Sequence, residues 1–364
     1  MKLAFALFDY FPFGGLQRDM LAIAQACVSA GHDVTVFTRH WEGERVDGID
    51  VQLLPVAAGS NHRRDRLFAR AFLEHSADFD RRVGFNKMPG LDYYYAADGC
   101  LAARYQGKPL GWLTRYRDRL AMEAAVFSAD TRTRILSISP PQRRLFERYY
   151  QTPARCFVDL PPGIRRDRIA PADYAQRRQA KRMAIGLGDD QTLALFVGSG
   201  FRTKGLDRAL HAFAEGCDDT ATFFVVGADK PGKFARLARR LGVSSRVRFM
   251  GGQDDIPDWL WAADVLLHPA YAENTGTVLL EAAVAGLPVI TTSACGYAPY
   301  LVDAGMGVVI DADEVSTATL VAALKKVLKD DRQTWLKRAD AFAETADIFS
   351  LVAHAVTVIT EASA

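Results

Sequence analysis

The sequence predicts an α/β protein built as two Rossmann-size halves, and three observations carry the prediction. Its 364 residues exceed what one ordinary core accommodates. Apolar runs of strand length alternate with stretches of helical periodicity along nearly the whole chain. Leu160-Pro161-Pro162-Gly163-Ile164 breaks that alternation midway, dividing 1–163 from 164–346 and leaving 347–364 as a last helix expected to return to the first half.

In the first half, Lys2 to Phe8 is the nearly continuous apolar run of a buried parallel strand. It leads through Phe11-Pro12-Phe13-Gly14-Gly15 into helical periodicity from Leu16 to Ala30, closed by Gly31. Gly14 and Gly15 let backbone approach a ligand, with Asp19 one turn into the helix and directed back at the loop; the same residues also fit a tight turn with Asp19 favouring the helix dipole. Val34–Thr38, Val51–Leu54, Arg81–Phe85 and Tyr93–Asp98 read as further strands, followed by a strand over Arg134–Ser139 and a helix over Pro140–Tyr150. Asp98 ends its strand where open α/β sheets bind ligands, although loop aspartates commonly just form turns.

Arg165 to Lys181 is basic and reads as a connector plus a helix. Strands then fall at 193–197, 222–226, 247–250, 265–268, 289–292 and 308–310, separated by helical stretches, with closing helices at 316–329, 332–345 and 348–360.

Composition narrows the function. Hydrophobic and charged contents of 49% and 24% are those of a soluble globular protein, and a formal net charge of +2 gives no reason to expect a nucleic-acid partner. Cys27, Cys100, Cys156, Cys217 and Cys295 occur singly, which points away from disulfides or zinc and toward a reducing cytoplasm. The N-terminal run, broken by Asp9 and Pro12, does not read as a signal peptide, and no apolar run approaches the roughly 20 residues of a membrane span. Neither dinucleotide-binding nor P-loop fingerprints, nor those of serine hydrolases or zincins, are present. The seven histidines, His268 among them, lack metal-ligand spacing and read as surface or satisfied core residues. Asp78-Phe79-Asp80 and Asp311-Ala312-Asp313 resemble metal-binding pairs but are read as structural, the first before a strand and the second able to cap a helix.

The positive evidence centres on Tyr271 to Glu281, Y-A-E-N-T-G-T-V-L-L-E. It follows an apolar strand ended by Pro269, places Glu273 and Glu281 on either side of seven residues, and sets Gly276 before a helix beginning at Thr277. A strand, a glycine loop and a helix N-terminus make an anion site, while carboxylates suit sugar hydroxyls, so the ligand is both phosphorylated and polyhydroxylated. Lys204, within G-S-G-F-R-T-K-G, and Arg168, after the proline-rich break, add cations that can neutralise a diphosphate without a metal. Between Arg104 and Phe127, basic and aromatic residues including Lys108, Trp112, Arg115, Arg117 and Arg119 fit either an anionic membrane surface or a solvated helix face.

These motifs together resemble the family-4 retaining glycosyltransferases of the GT-B fold. More narrowly, F-P-F-G-G-L-Q-R-D, V-G-F-N-K-M-P-G-L-D, L-P-P-G-I and L-L-H-P-A-Y are similar to the WaaG-type lipopolysaccharide core glycosyltransferases of Gram-negative bacteria. The resemblance implies two facing domains with a donor cleft, a UDP-sugar donor, an inner-core heptose acceptor, no cofactor or metal, and a cytoplasmic enzyme peripheral to the anionic inner-membrane surface. It implies that Glu281 holds ribose, Glu273 a donor-sugar hydroxyl, and Lys204, Arg168 and the backbone at Gly14 and Gly15 the diphosphate. Asp19 then lies near the donor and Asp98 near the acceptor and reacting centre.

Two departures bear on specificity. Thr203 stands where the family carries an arginine before the loop lysine, displacing the arginine to Arg202. Asn274-Thr275 replaces the two alanines that follow the first glutamate in glucosyl-transferring relatives. An amide and a hydroxyl there favour UDP-N-acetylhexosamine (GalNAc or GlcNAc) over UDP-glucose, unless they merely cap the following helix. A UDP-sugar epimerase and a non-catalytic nucleotide-sugar binder at a membrane surface are the competing classes.

Overall fold

The computed structural model describes residues 1–12, 14–109 and 112–361. It divides into two compact units, Met1–Gly163 together with the chain from Ser350 onward, and Ile164–Phe349. Each has its own parallel sheet.

The first unit contains β1 (Lys2–Ala6), β2 (Asp9–Tyr10), β3 (Asp33–Thr38), β4 (His40–Trp41), β5 (Ile49–Leu53), β6 (Arg81–Gly84), β7 (Tyr93–Ala96), β8 (Arg134–Ser137) and β9 (Phe157–Asp159). Seven of these run parallel in the order β5-β3-β1-β6-β7-β8-β9, while β2 and β4 pair separately. The helices are α1 (Gly15–Ser29), α2 (Asn61–His75), α3 (Leu101–Tyr105), α4 (Thr114–Phe127) and α5 (Pro140–Tyr150). Aromatic residues fill both faces: Phe5, Phe85 and Tyr95 pack on one, Phe37, Phe68, Phe72, Tyr94 and Phe127 on the other. The final helix of the chain, Leu351–Thr360, belongs to this unit. Its Leu351, Ala355 and Ile359 enter the same core as Met20 and Ile23 of α1. It begins at Leu351 rather than Ile348, whose carbonyl accepts from Ile164 N at 3.0 Å.

The second unit carries α6 (Tyr174–Ala184), β10 (Leu193–Val197), α7 (Leu206–Gly216), β11 (Thr222–Val226), α8 (Gly232–Arg240), β12 (Val247–Gly251), α9 (Ile256–Ala262), β13 (Val265–His268), α10 (Thr277–Val284), β14 (Val289–Thr292), α11 (Ala298–Asp303), β15 (Gly307–Ile310), α12 (Thr317–Val327) and α13 (Arg332–Thr345). Its order, β12-β11-β10-β13-β14-β15, is that of a Rossmann sheet. Every residue of β10, β11, β13 and β14 is buried, as continuous apolar strands covered on both faces require. Strand order reverses between β10 and β13, which opens a crevice beyond their carboxyl ends. The Lys204 loop follows β10 and the Glu273 loop follows β13, so both motifs stand at that switch point.

The D-x-D segments are structural. Asp80 accepts from Lys2 N at 2.7 Å, tying β6 to β1. Asp311 accepts from Asp313 N at 3.2 Å within a turn, and the cap of α12 is Ser316 instead. Among the described residues the five cysteines are free thiols.

Candidate active site

In the second unit, two glycine-containing loops are stitched together by backbone. Thr203 O accepts from Tyr271 N at 2.8 Å, Arg208 lies 3.6 Å over the Tyr271 ring, and Tyr271 OH donates to Asp207 at 2.8 Å. Gly205 has φ +77°, and a Cβ there would sit 2.0 Å from Pro269 O, so only glycine permits the two loops to approach this closely. Asp229 accepts from Phe201 N at 2.9 Å and braces the loop from the far side.

The stitching brings Lys204 onto Glu273, Nζ donating directly to Oε2. Burial alone would raise the Glu273 carboxyl, but His268 and the Lys204 charge outweigh it and hold it at about 2. Glu281, on α10, accepts from Arg168 Nε at 3.2 Å, and an Arg168 NH group also donates to Asp167 at 3.2 Å. Arg168 is itself buried, at the end of a short 3-10 turn over Arg166–Arg168. The sequence suggested cations waiting for phosphate and carboxylates waiting for hydroxyls. The structure pairs them with each other, because a desolvated charge needs a partner.

Asn274 and Thr275 do not cap α10. The N-cap is Gly276, in the left-handed conformation at φ +84°, without a side-chain cap. Thr275 instead offers its carbonyl to Tyr297 N at 2.8 Å, and both residues remain partly exposed. Thr277 is the first helical residue. Arg202 is exposed at the loop surface.

In the first unit, Gly14 is the N-cap of α1 with an ordinary φ of −86°, and Gly15 is the first helical residue. Glycine at 14 answers to space rather than to φ, since a Cβ would collide with Gln17 and Phe11. Asp19 accepts from Tyr95 OH at 2.8 Å; burial raises its carboxyl to about 6 against that bond and the Arg18 charge. Asp98 follows β7 and keeps solvent contact, yet protein atoms crowd its carboxyl and raise its pKa, opposed by Lys87 and reinforced by Glu123.

Lys87 and Glu123 were not singled out by the sequence. Glu123 is fully buried and accepts from Lys87 Nζ at 2.5 Å, Leu101 N at 2.8 Å, Ala102 N at 2.9 Å and Tyr150 OH at 2.7 Å. Lys87 also donates to Gly99 O at 2.7 Å, so this pair fixes the turn that carries Asp98. A lysine just past a strand end was the visible signal; nothing local marks Glu123.

The basic, aromatic segment forms α3 and α4 rather than one amphipathic helix. Arg104, Tyr105, Lys108, Arg115, Tyr116 and Arg119 line a cavity of about 330 Å³, and Trp112 is 77% exposed. Among the described residues no helix is long and apolar enough to cross a membrane.

Comparison with known proteins places this geometry. Residues 177–347 match the family model described as glycosyl transferases group 1. The chain is 42% identical, over 370 aligned positions and 99% of both chains, to the lipopolysaccharide glucosyltransferase WaaG of Escherichia coli K12. A crystal structure of WaaG, described as a glycosyltransferase involved in lipopolysaccharide biosynthesis, superimposes with a TM-score of 0.92 at 41% identity, covering 99% of this chain and 100% of the other. Sucrose-phosphate synthase from Thermosynechococcus elongatus shares the fold at a TM-score of 0.79 and 18% identity, covering 98% of each chain. With its two Rossmann-like halves, the chain has the GT-B fold and belongs to the WaaG family of group 1 glycosyl transferases.

Proposed function

We propose that this enzyme is a retaining glycosyltransferase that moves a sugar from a UDP donor to an inner-core heptose of lipopolysaccharide, at the cytoplasmic face of the inner membrane and without a metal. The observation that carries the donor assignment is the pairing of Lys204 with Glu273 and of Arg168 with Glu281 around the Gly276 helix start. These pairs supply carboxylates for sugar and ribose hydroxyls and cations for a diphosphate at one switch point. Arg168 has five N–H donors, so it can keep Glu281 and still reach a phosphate. The acceptor oxygen bonds to C1 on the face from which the diphosphate departs, and the departing phosphate takes the acceptor's proton. Such a step asks for stabilisation of developing phosphate charge, which Lys204 and Arg168 supply. Asp98, held by the Lys87–Glu123 clamp, serves the acceptor. The basic cavity of α3 and α4 with Trp112 serves the anionic membrane surface.

For the donor, an amide and a hydroxyl at Asn274 and Thr275, in the loop directly before the Gly276 helix start, support N-acetylhexosamine. UDP-glucose is the second reading, favoured by the glucosyltransferase named as a 42% identical relative. Turnover of UDP-GlcNAc, UDP-GalNAc and UDP-glucose on a heptose-terminated core acceptor separates them. Selective use of an N-acetylated donor is the expected result; selective use of UDP-glucose overturns the Asn274–Thr275 argument. Sugar conversion without acceptor would instead indicate an epimerase.

A further inference from the structure

His268 ends β13, is fully buried, and neither ring nitrogen makes a hydrogen bond of normal length. Buried polar side chains are nearly always satisfied, so an imidazole left in this state within an active site asks for a reason. Its Nε2 lies 3.6 Å from Glu273 Oε2, the oxygen that accepts from Lys204. The ring lies near-parallel to Phe196, with centroids 6.0 Å apart and planes at 16°, and Thr291 Oγ1 donates to the His268 carbonyl at 2.9 Å. Both the plane of the ring and its backbone are therefore held.

The charged and titratable groups around it come from four segments. The loop after β10 brings Lys204, and the loop after β13 brings Glu273. The turn after β14 brings Cys295, whose thiol burial pushes up to about 11, so it stays protonated. Arg208 on α7 is engaged at 3.3 Å with the Pro269 and Ala270 carbonyls. Burial holds the imidazole below its ordinary pKa against the pull of Glu273, which leaves it neutral in the free protein. One carboxylate thus lies between a fixed cation and a group that becomes a cation by accepting a proton.

We propose that His268 is the proton-carrying positioning residue of Glu273: as the donor diphosphate draws Lys204 away, the imidazole takes one proton from solvent and holds the carboxylate in its place. The inference rests on the donor reading above. A diphosphate competes for Lys204, and a desolvated carboxylate stripped of its cation is costly. An imidazolium 3.6 Å away restores the pair by a shift of about 0.7–0.9 Å, to the length of a charge-assisted hydrogen bond. Glu273 then stays ionised and oriented toward a sugar hydroxyl while Lys204 serves the leaving group. The proton returns to solvent when the site empties.

Calorimetric titration of UDP-GlcNAc and UDP-glucose into the full-length protein, in buffers of different ionisation enthalpy, tests this directly. Their diphosphate diesters do not titrate near neutrality, so proton exchange reports on the protein. The expected result is uptake approaching one proton per donor bound, with affinity falling as pH rises, by up to ~10-fold per pH unit. His268→Gln should bind donor without proton uptake and with pH-independent affinity, a readout that loss of packing alone would not produce. Should that variant fail to fold, imidazole NMR shifts of the wild-type protein decide instead: neutral ring when free, imidazolium when donor-bound. Donor binding without net proton exchange, a ring neutral in both states, or uptake retained in His268→Gln overturns the proposal. Failure of both donors to bind overturns the donor reading and this inference with it.

Discussion

Lys204 and Glu273 lie 69 residues apart in sequence and share one hydrogen bond, so neither can be altered without stranding the other in a partly buried place. Lys204→Ala should lower kcat by roughly 10²- to 10³-fold, the scale of losing one preorganised donor to a developing charge, with circular dichroism unchanged. Replacing Asn274 and Thr275 together by alanine should shift the kcat/KM ratio of UDP-GlcNAc to UDP-glucose toward glucose by at least ~10-fold, measured by competition between the two donors. Asp19 gives a pH signature. Its carboxyl titrates at about 6 in the folded chain against 3.8 ordinarily, so between these values the native state holds the extra proton and stability falls as pH rises. Asp19→Asn should therefore be more stable than the parent at pH above 6, by on the order of 1–3 kcal/mol in urea titrations, and should lose that advantage near pH 4.

At the scale of elements, the site depends on where chain ends are pinned. Gly276 starts α10 at φ +84° against Leu279 and Glu273, and Gly205 lies against the Pro269 carbonyl. Gly205→Ala should cost more than about 2 kcal/mol and reduce donor affinity together with stability, because both φ and contact distance oppose a Cβ. In the first unit, Glu123→Gln removes the carboxylate that is hydrogen-bonded to buried Lys87. It should destabilise that unit by about 3–5 kcal/mol and lower turnover, through the Asp98 turn, in any fraction that stays folded. Lys87→Met with Glu123→Leu, which removes both charges, should recover much of the stability but not the turnover. Strands such as β1, β10, β11 and β13 were legible in the sequence because parallel strands covered on both faces read as unbroken apolar runs, whereas the two-residue β2 and β4 were not. β9 was missed: Phe157–Asp159 is three residues long and directly follows a 3-10 turn, too short to show a period.

For the whole molecule, the metal-independence argued from Lys204 and Arg168 predicts turnover unchanged by excess EDTA. The cation-lined cavity between α3 and α4 predicts binding to anionic vesicles that weakens with salt and with charge reversal at Arg115, Arg117 and Arg119. Equal binding to neutral vesicles in a sedimentation assay would remove the electrostatic basis for that surface. Arg117 lies outside the cavity lining, so its reversal should have the smallest effect of the three.

By itself the sequence determined the fold, the family and the residues worth watching, because strand runs, glycine loops and the E-x7-E spacing are local patterns written in consecutive residues. It could not say what those residues do to one another. That Lys204 meets Glu273 follows from the Rossmann strand order, which sets the ends of β10 and β13 side by side, and Arg168 meets Glu281 across 113 positions because the 3-10 turn at Arg166–Arg168 packs on α10. The start of α10 at Thr277 was legible, but only the tertiary structure showed Gly276 in the left-handed conformation as its N-cap, since that depends on backbone conformation. It alone set a buried His268 against Glu273, because burial and the 3.6 Å between Nε2 and the carboxylate exist only once the loops have closed on the sheet.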